Sequence, residues 1–270
     1  MKYLQLKNTA IPIIGFGTWQ LKGDECYNAV KYALKIGYRH IDTAHVYGNH
    51  KEIGQAITDS KIPREDIFIT SKVWREDLGY DQVRYSAQKA LEELQTNYID
   101  MYLIHWPNKD FPLFKTIQAL HELLDENILM NIGVSNFTKH HIEDALQISN
   151  RISTNQVEFH PSFNQIDLLN YSVSNGIYLT AYSPLGQGKD LALDLILELS
   201  EKYHKTPSQI IINWIANKGI ITIPKSTVES YIKDNLHSLD FELTAEDANK
   251  IDSLNTNNRM LNPPFAEFDY

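Results

Sequence analysis

Short apolar runs rich in β-branched residues alternate along the chain with longer stretches in which apolar side chains recur every three or four residues. Runs of the first kind are typical of buried parallel strands, and the longer spacing is typical of amphipathic helices. The predicted strands are 14–17, 38–41, 67–70, 99–104, 130–134, 154–158, 177–180 and 220–223. The predicted helices are 24–36, 81–94, 112–124, 138–148, 190–203, 207–217, 227–236 and 244–253.

Repeated strand–helix units without a linker or a break in composition indicate one domain over residues 1–270. Strands joined by helices run parallel through right-handed crossovers, so eight such units favour a closed (β/α)8 barrel, the TIM barrel. An open doubly wound sheet is the alternative, but the sequence lacks the G-x-G-x-x-G turn that is typical of it. Residues 3–6 and 10–14 are predicted to form a β-hairpin that closes the bottom of the barrel.

The composition limits the cellular compartment and the binding partners that we expect for this barrel. A net charge of −9 argues against a surface for nucleic acid or anionic lipid, since both require excess Lys and Arg. The single cysteine, Cys26, excludes an internal disulfide and suits a reducing compartment. No apolar run approaches the ~18 residues of a membrane span, and the opening MKYLQLKNTAIP lacks the apolar core of a signal peptide. We therefore expect a cytoplasmic monomer that binds neither nucleic acid nor a membrane.

Polar residues lie at the end of every predicted strand, where barrel enzymes carry their reactive groups. These residues are Thr18-Trp19, Asp42-Thr43, Ser71-Lys72, His105-Trp106, Ser135-Asn136, Asn155-Gln156 with His160, Tyr182-Ser183 and Lys225-Ser226. Taken singly, each is equally compatible with an ordinary polar loop. Taken together with Tyr47, the carboxylate, lysine and histidine near three successive strand ends form a candidate set for proton transfer: Asp42, Tyr47, Lys72 and His105.

These four residue types have complementary acid–base properties. A free tyrosine has a pKa near ~10 and is a poor acid at neutral pH, so we expect the ammonium of Lys72 to lower the pKa of Tyr47. Asp42 supplies the counter-charge that the lysine needs. A neutral His105 donates a hydrogen bond to a substrate carbonyl and fixes its direction. None of these side chains supplies a hydride, so a reduction at this site requires a redox cofactor.

The segments that carry these residues resemble the aldo-keto reductases. The matching segments, in chain order, are GFGTW (15–19), GYRHIDTA (37–44) followed by Tyr47, TSKVW (70–74), LIHWP (103–107), IGVSNF (132–137), NQVEFHP (155–161), AYSPLG (181–186) and IPKST (223–227). They run through most of the chain and resemble compact bacterial diketogluconate and methylglyoxal reductases. The resemblance implies a (β/α)8 barrel, in agreement with the strand count.

The resemblance also implies a role for each matched residue. Tyr47 is the expected general acid, with Lys72 tuning it, Asp42 holding Lys72 and His105 orienting the carbonyl. Hydride transfer from NADPH is expected to be direct and without a metal. The residues expected to bind NADPH are Ser135, Asn136 and Gln156 at the nicotinamide carboxamide, Tyr182 stacked on the nicotinamide, Ser183 and Leu185 beside it, Lys225 and Ser226 at the 2′-phosphate, and Asn235 at the adenine.

Two positions depart from the family pattern. Tyr231 stands where the family usually has an arginine near the adenine and the 2′-phosphate. A tyrosine supplies no positive charge, so use of NADH as the cofactor becomes possible. The charge of Lys225 still favours NADPH. His50 stands where the motif usually has a glutamate after asparagine. It lies outside the catalytic set, and the sequence gives it no role.

Other aromatic and histidine residues have weaker assignments. Trp19, Trp106 and Trp74 follow strand runs and are predicted to line an apolar substrate cleft. The resemblance supports this for the first two, while rim packing explains Trp74 equally well. The spacing of His40 and His45 invites a metal site. Since the only carboxylate nearby in sequence is already assigned to the lysine, we expect no metal.

The predicted function is NADPH-dependent reduction of aldehydes or ketones to alcohols. Only 107–111 and 187–189 separate two of the active-face strands from their helices. Such short loops leave the cleft open, so we expect a broad range of small carbonyl substrates. Two alternatives remain: a barrel that binds NADPH as a sensor or partner-binding module with little turnover, and a metal-dependent barrel hydrolase.

Overall fold

The computed structural model describes residues 2–270, and a barrel of eight parallel strands lies at the centre of this part of the chain. The barrel strands are β3 (Phe16–Gly17), β4 (His40–Asp42), β5 (Phe68–Val73), β6 (Met101–Ile104), β7 (Ile132–Ser135), β8 (Ile152–Glu158), β9 (Tyr178–Tyr182) and β10 (Ile221–Thr222). Each pairs in parallel with its neighbour in sequence from β3 to β10. All eight predicted strands are confirmed: the first and last are shorter than predicted, β5 ends three residues beyond its predicted end, and the others agree within two residues.

The first and last strands close the sheet on itself. A parallel bridge joins Ile14 to Thr222. The N–H of Gly15 donates to the carbonyl of Thr222 at 2.8 Å, and the N–H of Thr222 donates to the carbonyl of Ile13 at 2.8 Å. Gly17 lies at this seam, where a Cβ would come within 2.6 Å of the carbonyl oxygen of Ile223. A glycine is therefore needed for the two backbones to meet, and the open-sheet alternative is wrong.

Helices surround the barrel and connect its strands. Their bounds are α1 (Gly23–Ile36), α2 (His50–Ser60), α3 (Tyr80–Leu94), α4 (Leu113–Asp125), α5 (Lys139–Ile148), α6 (Ile166–Ser174), α7 (Asp194–Tyr203), α8 (Pro207–Asn217), α9 (Glu229–Leu236) and α10 (Ala245–Asp252). The predicted start of α8 is confirmed, because Thr206 forms a capping box with Gln209 and Pro207 stands in the first turn.

Two of these helices, α2 and α6, were not predicted from the sequence. Helix α6 is short and buries one apolar residue, Leu169, whereas α2 is amphipathic and buries Ile53, Ala56 and Ile57. Helix α2 contains Gly54, where a Cβ would approach the carbonyl oxygen of Glu93 on α3 to 2.6 Å. Tertiary packing against α1 and α3 therefore stabilises α2 more than its own sequence does.

The predicted hairpin is confirmed at the amino ends of the barrel strands. Strands β1 (Tyr3–Gln5) and β2 (Ala10–Pro12) pair in antiparallel register. Leu6 and Ile11 of this hairpin form a buried cluster with Phe68, Met101 and Leu103 inside the barrel. Because the hairpin and this cluster fill the bottom, the opposite end is the one that remains available for a ligand.

Candidate active site

A cleft of about 1020 Å³ opens at the carboxyl ends of the barrel strands. Its walls contain all but one of the residues that the sequence predicts for the site. Those that line it are Trp19, Asp42, Tyr47, Trp74, His105, Trp106, Ser135, Asn136, Gln156, Tyr182, Ser183, Leu185, Lys225, Ser226 and Asn235, together with Tyr231. Lys72 is the exception, since it lies fully buried beneath the floor.

An ion pair between Asp42 and Lys72 underlies the cleft. The Nζ of Lys72 donates to Oδ1 of Asp42 at 2.6 Å and to the carbonyl oxygen of Thr43 at 2.7 Å. The amide of Gln156 donates to the other carboxylate oxygen at 2.7 Å. Burial raises the pKa of Asp42 and lowers the pKa of Lys72, while the contact between the two groups opposes both shifts. The lysine is thus a fully buried group held by Asp42 and the carbonyl of Thr43.

A 3₁₀ turn, His45–Tyr47, presents the tyrosine to the cleft directly after β4. Gly48 ends the turn at φ = 59°, and its N–H donates to the carbonyl of His45 at 3.0 Å. The buried amide of Asn49 then donates to two carbonyl oxygens of the loop after β3, at 2.9 and 3.1 Å. Asn49 therefore fixes the turn that carries Tyr47, a positioning role that the sequence did not predict.

The pKa of Tyr47 departs from its ordinary value in the direction opposite to the one predicted. Burial, then the negative charge of Asp42 and the phenol of Tyr182, raise the pKa of Tyr47 well above 10. The Nζ of Lys72 lies 5.1 Å from the centroid of the Tyr47 ring, and its hydrogen bonds go to other partners. The predicted lowering is therefore wrong for this structure, because desolvation outweighs a lysine that faces the ring and is already paired.

His105 lies between two aromatic rings at the cleft floor. Its ring is edge-on to Tyr47 at 5.6 Å and to Trp74 at 5.2 Å between centroids. Burial, and next the charge of Lys72, hold the pKa of His105 well below 6.5. The imidazole is accordingly neutral at physiological pH, as predicted. Within residues 2–270 its Nδ1 has no hydrogen-bond partner.

Next to the floor, residues from β7, β8 and β9 form one hydrogen-bonded group. The hydroxyl of Tyr182 donates to Oδ1 of Asn136 at 2.8 Å. Asn136 in turn donates to the carbonyl of His105 at 2.9 Å, and Ser135 donates to the carbonyl of Gln156 at 2.8 Å. Asn136 adopts φ = 63°, a left-handed conformation that is uncommon outside glycine and concentrates at functional sites.

The far end of the cleft is more polar and more open. Lys225 is exposed there, and Tyr231 is 60% exposed. Ser226 accepts a hydrogen bond from the N–H of Val228 at 3.1 Å, just before α9 begins. Asn235 is buried, and its Oδ1 has no partner among the described residues. A buried amide oxygen without a partner fits an external hydrogen-bond donor such as the exocyclic amine of a nucleotide base.

One wall of the cleft comes from the C-terminal segment, to which the sequence assigned no role. Phe265 packs edge-on against Trp74 at 5.7 Å and against Trp106 at 5.3 Å between ring centroids. Leu261 and Pro263 line the cleft beside it. The only sequence signal was the aromatic content of residues 265–270, which has no strand or helix periodicity.

Comparisons with known proteins agree with this fold and site. The family model for the aldo/keto reductase family matches residues 13–256. Glyoxal reductase of Bacillus subtilis is 44% identical, over 93% of this chain and 91% of the relative. Methylglyoxal reductase DkgB of Escherichia coli O157:H7 is 38% identical, over 94% and 96% respectively. The crystal structure of MGS-M4, an aldo-keto reductase from a Medee basin deep-sea metagenome library, superposes with a TM-score of 0.95 at 41% identity, covering 99% of this chain and 100% of that one.

The closed barrel and the polar set at its strand ends define an enzyme of the (β/α)8 class. The extent of these matches shows that the chain belongs to the aldo/keto reductase family, and it is accordingly an oxidoreductase that acts on carbonyl and alcohol groups. The predicted family and fold are confirmed. None of the helices in residues 2–270 is both long enough and apolar enough to cross a bilayer.

Proposed function

We propose that the protein reduces small aldehydes and ketones to alcohols with NADPH, using Tyr47 as the general acid. The observation that carries the proposal is the arrangement at the cleft floor. Tyr47 and His105 border the same space with their rings 5.6 Å apart. The Asp42–Lys72 pair lies buried directly beneath them. A purely binding barrel has no need of such a set, which argues against the sensor alternative.

The protonation states support this direction of chemistry. A raised pKa keeps Tyr47 protonated at neutral pH, so it holds a proton to give to the carbonyl oxygen. The neutral His105 donates a hydrogen bond to the same oxygen and orients it. As the phenolate forms, the ammonium of Lys72, 5.1 Å from the ring centroid, stabilises the new negative charge. Asp42 keeps that ammonium in place.

The bound cofactor supplies the hydride that no protein side chain provides. We infer that Ser135, Asn136 and Gln156 bind its carboxamide end and that Tyr182 covers its ring. Asn235 is available for the adenine, because its Oδ1 is buried without a partner in the described residues. The remaining contacts are Ser183 and Leu185 along the cleft and Lys225 and Ser226 at the 2′-phosphate.

Small carbonyl compounds are the substrate class that the cleft favours. Trp19, Trp74, Trp106 and Phe265 give its outer part an apolar, aromatic lining. The names of the relatives, glyoxal reductase and methylglyoxal reductase, point to short dicarbonyls. We propose glyoxal, methylglyoxal and simple aldehydes as substrates, with diketogluconate as a further candidate by analogy.

The proposal is tested by following NADPH oxidation with a panel of small aldehydes, ketones and dicarbonyls. We expect turnover with several of them, and Tyr47→Phe should lower kcat by roughly 10²–10⁴-fold because it removes the proton donor. NADPH binding, measured by quenching of tryptophan fluorescence, should survive in the variant. Absence of turnover with every carbonyl despite tight NADPH binding would favour the sensor. Loss of activity with a chelator, and none on removal of cofactor, would favour the hydrolase.

Cofactor preference has a test of its own, since Tyr231 supplies no charge. We expect kcat/KM to be higher with NADPH than with NADH because of Lys225. Tyr231→Arg should widen that ratio roughly tenfold, as a charge-assisted hydrogen bond is worth ~1.5–3 kcal/mol. Tyr231→Phe is the matched control and should leave the ratio unchanged. Equal use of both cofactors by the unaltered protein would contradict the NADPH assignment.

The setting that we propose is a single-domain monomer over residues 1–270 in the cytoplasm. Cys26 is buried, and burial raises the pKa of its thiol to about 12. Such a thiol is inert toward disulfide exchange, which is consistent with a reducing compartment and no redox role. Light scattering of the purified protein would reveal whether the mass exceeds 31.1 kDa.

A further inference from the structure

Three potential metal ligands converge behind the turn that carries Tyr47. His45 comes from the 3₁₀ turn itself, His50 from the first position of α2 and Glu93 from the last turn of α3. One ligand atom from each lies within 4.8 Å of the other two. His50 is one of the two residues that depart from the family pattern, and it has no place in the proposed reduction.

The surroundings of His50 leave one ring nitrogen unused. Its side chain is 1% exposed, and its Nε2 lies 3.0 Å from the hydroxyl oxygen of Ser71. Its Nδ1 lies 3.5 Å from Oε2 of Glu93 and makes no hydrogen bond within the described chain. When Nε2 carries the proton and donates it to Ser71, the Nδ1 lone pair faces a carboxylate oxygen, and two acceptors oppose each other.

The buried Nδ1 of His45 also lacks a partner in residues 2–270. One ring nitrogen of each histidine therefore lacks a partner in the described chain, in the same space as the Glu93 carboxylate.

We propose that His45, His50 and Glu93 form a binding site for a divalent transition metal, with Zn²⁺ the best fit. Imidazole and carboxylate ligands suit zinc, and three protein ligands with a water in the fourth position are a common set. Bond lengths of ~2.1 Å place tetrahedral ligands about 3.4 Å apart. The His50–Glu93 pair already has this spacing at 3.5 Å, and the ligand atom of His45 lies within 4.8 Å of both.

A hydrogen-bond partner behind one ligand and a route from solvent are also in place. Ser71 fixes the His50 ring, as the outer partner of a metal-bound histidine usually does. Glu93 is 29% exposed, which gives an ion a route from solvent. The site is separate from the cleft, because none of its three ligands lines that space. A bound ion would tie the Tyr47 turn to α2 and α3 without touching the substrate.

The test is a titration of tag-free, chelator-treated protein with Zn²⁺ by calorimetry and with Co²⁺ by visible absorption. We expect one equivalent of each ion to bind, with cobalt showing ligand-field bands of a site with nitrogen ligands. His50→Gln and Glu93→Gln should each weaken binding by at least about tenfold, the lower end of what even outer-shell changes cause. His140→Gln is the matched control, since His140 forms an exposed pair with Glu143 at 3.0 Å. It should change nothing.

Folding is checked separately, because His50 is buried. Glu93→Gln changes a partly exposed helix residue and should keep the unliganded melting temperature. Zn²⁺ should raise the melting temperature of the unaltered protein but not of Glu93→Gln, since a ligand that binds only the native state stabilises it. Absence of stoichiometric binding, or equal binding by the unaltered protein, His50→Gln and Glu93→Gln, would overturn the proposal.

Discussion

Two clusters of buried charged residues lie at the carboxyl ends of the barrel strands, and they differ in how fully their hydrogen-bonding groups are paired. In the first, Asp42 and Lys72 form a pair beneath the cleft, next to the Tyr47 phenol and the neutral His105. In the second, His160 lies between Glu158 at 3.0 Å and Asp190 at 2.8 Å. All three members of the second cluster are almost completely buried.

The second cluster is satisfied on every side that the structure describes. Glu158 also accepts the N–H groups of Met260 at 2.7 Å and Leu261 at 2.9 Å. Burial alone would lower the pKa of His160, but the hydrogen bonds to Asp190 and Glu158 outweigh it and raise the pKa. The imidazolium thus holds two carboxylates together, and one of them anchors the C-terminal segment that places Phe265 over the cleft.

This difference in pairing distinguishes a histidine that is available to a substrate, His105, from one with a structural role, His160. Next to the Asp42–Lys72 pair, Tyr47 and His105 line the cleft, and Nδ1 of His105 is buried without a hydrogen-bond partner among the described residues. Around His160 both ring nitrogens are already bonded, so no atom is left for a substrate. Both histidines are buried near charged groups, but of the two only His105 lines the cleft.

The largest expected effect comes from breaking the first cluster. Lys72→Met should lower kcat by ~10²–10⁴-fold, since the cation that stabilises the Tyr47 phenolate is lost. The rate of NADPH oxidation with methylglyoxal measures this, and NADPH binding should remain. The double variant Asp42→Leu with Lys72→Met removes the unpaired carboxylate and should recover stability but not activity. Recovery of turnover in the double variant would refute a catalytic role for the lysine.

A smaller effect, on stability instead of chemistry, is expected from the second cluster. His160→Gln leaves Glu158 and Asp190 facing each other without the imidazolium and should lower the free energy of unfolding by ~3–5 kcal/mol. Urea denaturation measures the loss. Because His160 touches no part of the cleft, kcat of the folded variant should change little. A large fall in kcat at unchanged stability would reverse the distinction between the two clusters.

The smallest effect concerns how the second cluster responds to pH. The raised pKa of His160 means that its stabilisation is complete below 6.5 and is lost as pH rises through the raised value. Hydrogen bonds from His160 and Ser162 outweigh burial and hold the pKa of Asp190 below 3.8, so its stabilisation is lost as pH falls through that lower value. The stability difference between the unaltered protein and His160→Gln should therefore be larger at about pH 5.5 than at about pH 9. Equal differences at both values would show that His160 does not act as a cation.

Sequence periodicity predicted the barrel because eight strand runs and most helices carry their own signals. It did not predict α6, which buries a single apolar residue, or α2, whose Gly54 is favoured only by close packing against α3. The candidate site was likewise predicted in part. Residues at strand ends could be collected, since the carboxyl ends of a closed parallel sheet meet at one face. The pKa of Tyr47 was mispredicted because desolvation depends on packing that no sequence pattern reports.

The sequence by itself therefore determined the fold class, the family and the members of the candidate catalytic set. Only the tertiary structure placed Phe265 against Trp74 and Trp106, gave His160 its two carboxylates and brought Glu93 to His50. The physical reason is the separation along the chain of the residues that are in contact. Strands and helices arise from neighbours along the chain, whereas these contacts join distant segments whose meeting is fixed by how the helices and the C-terminal segment pack around the barrel.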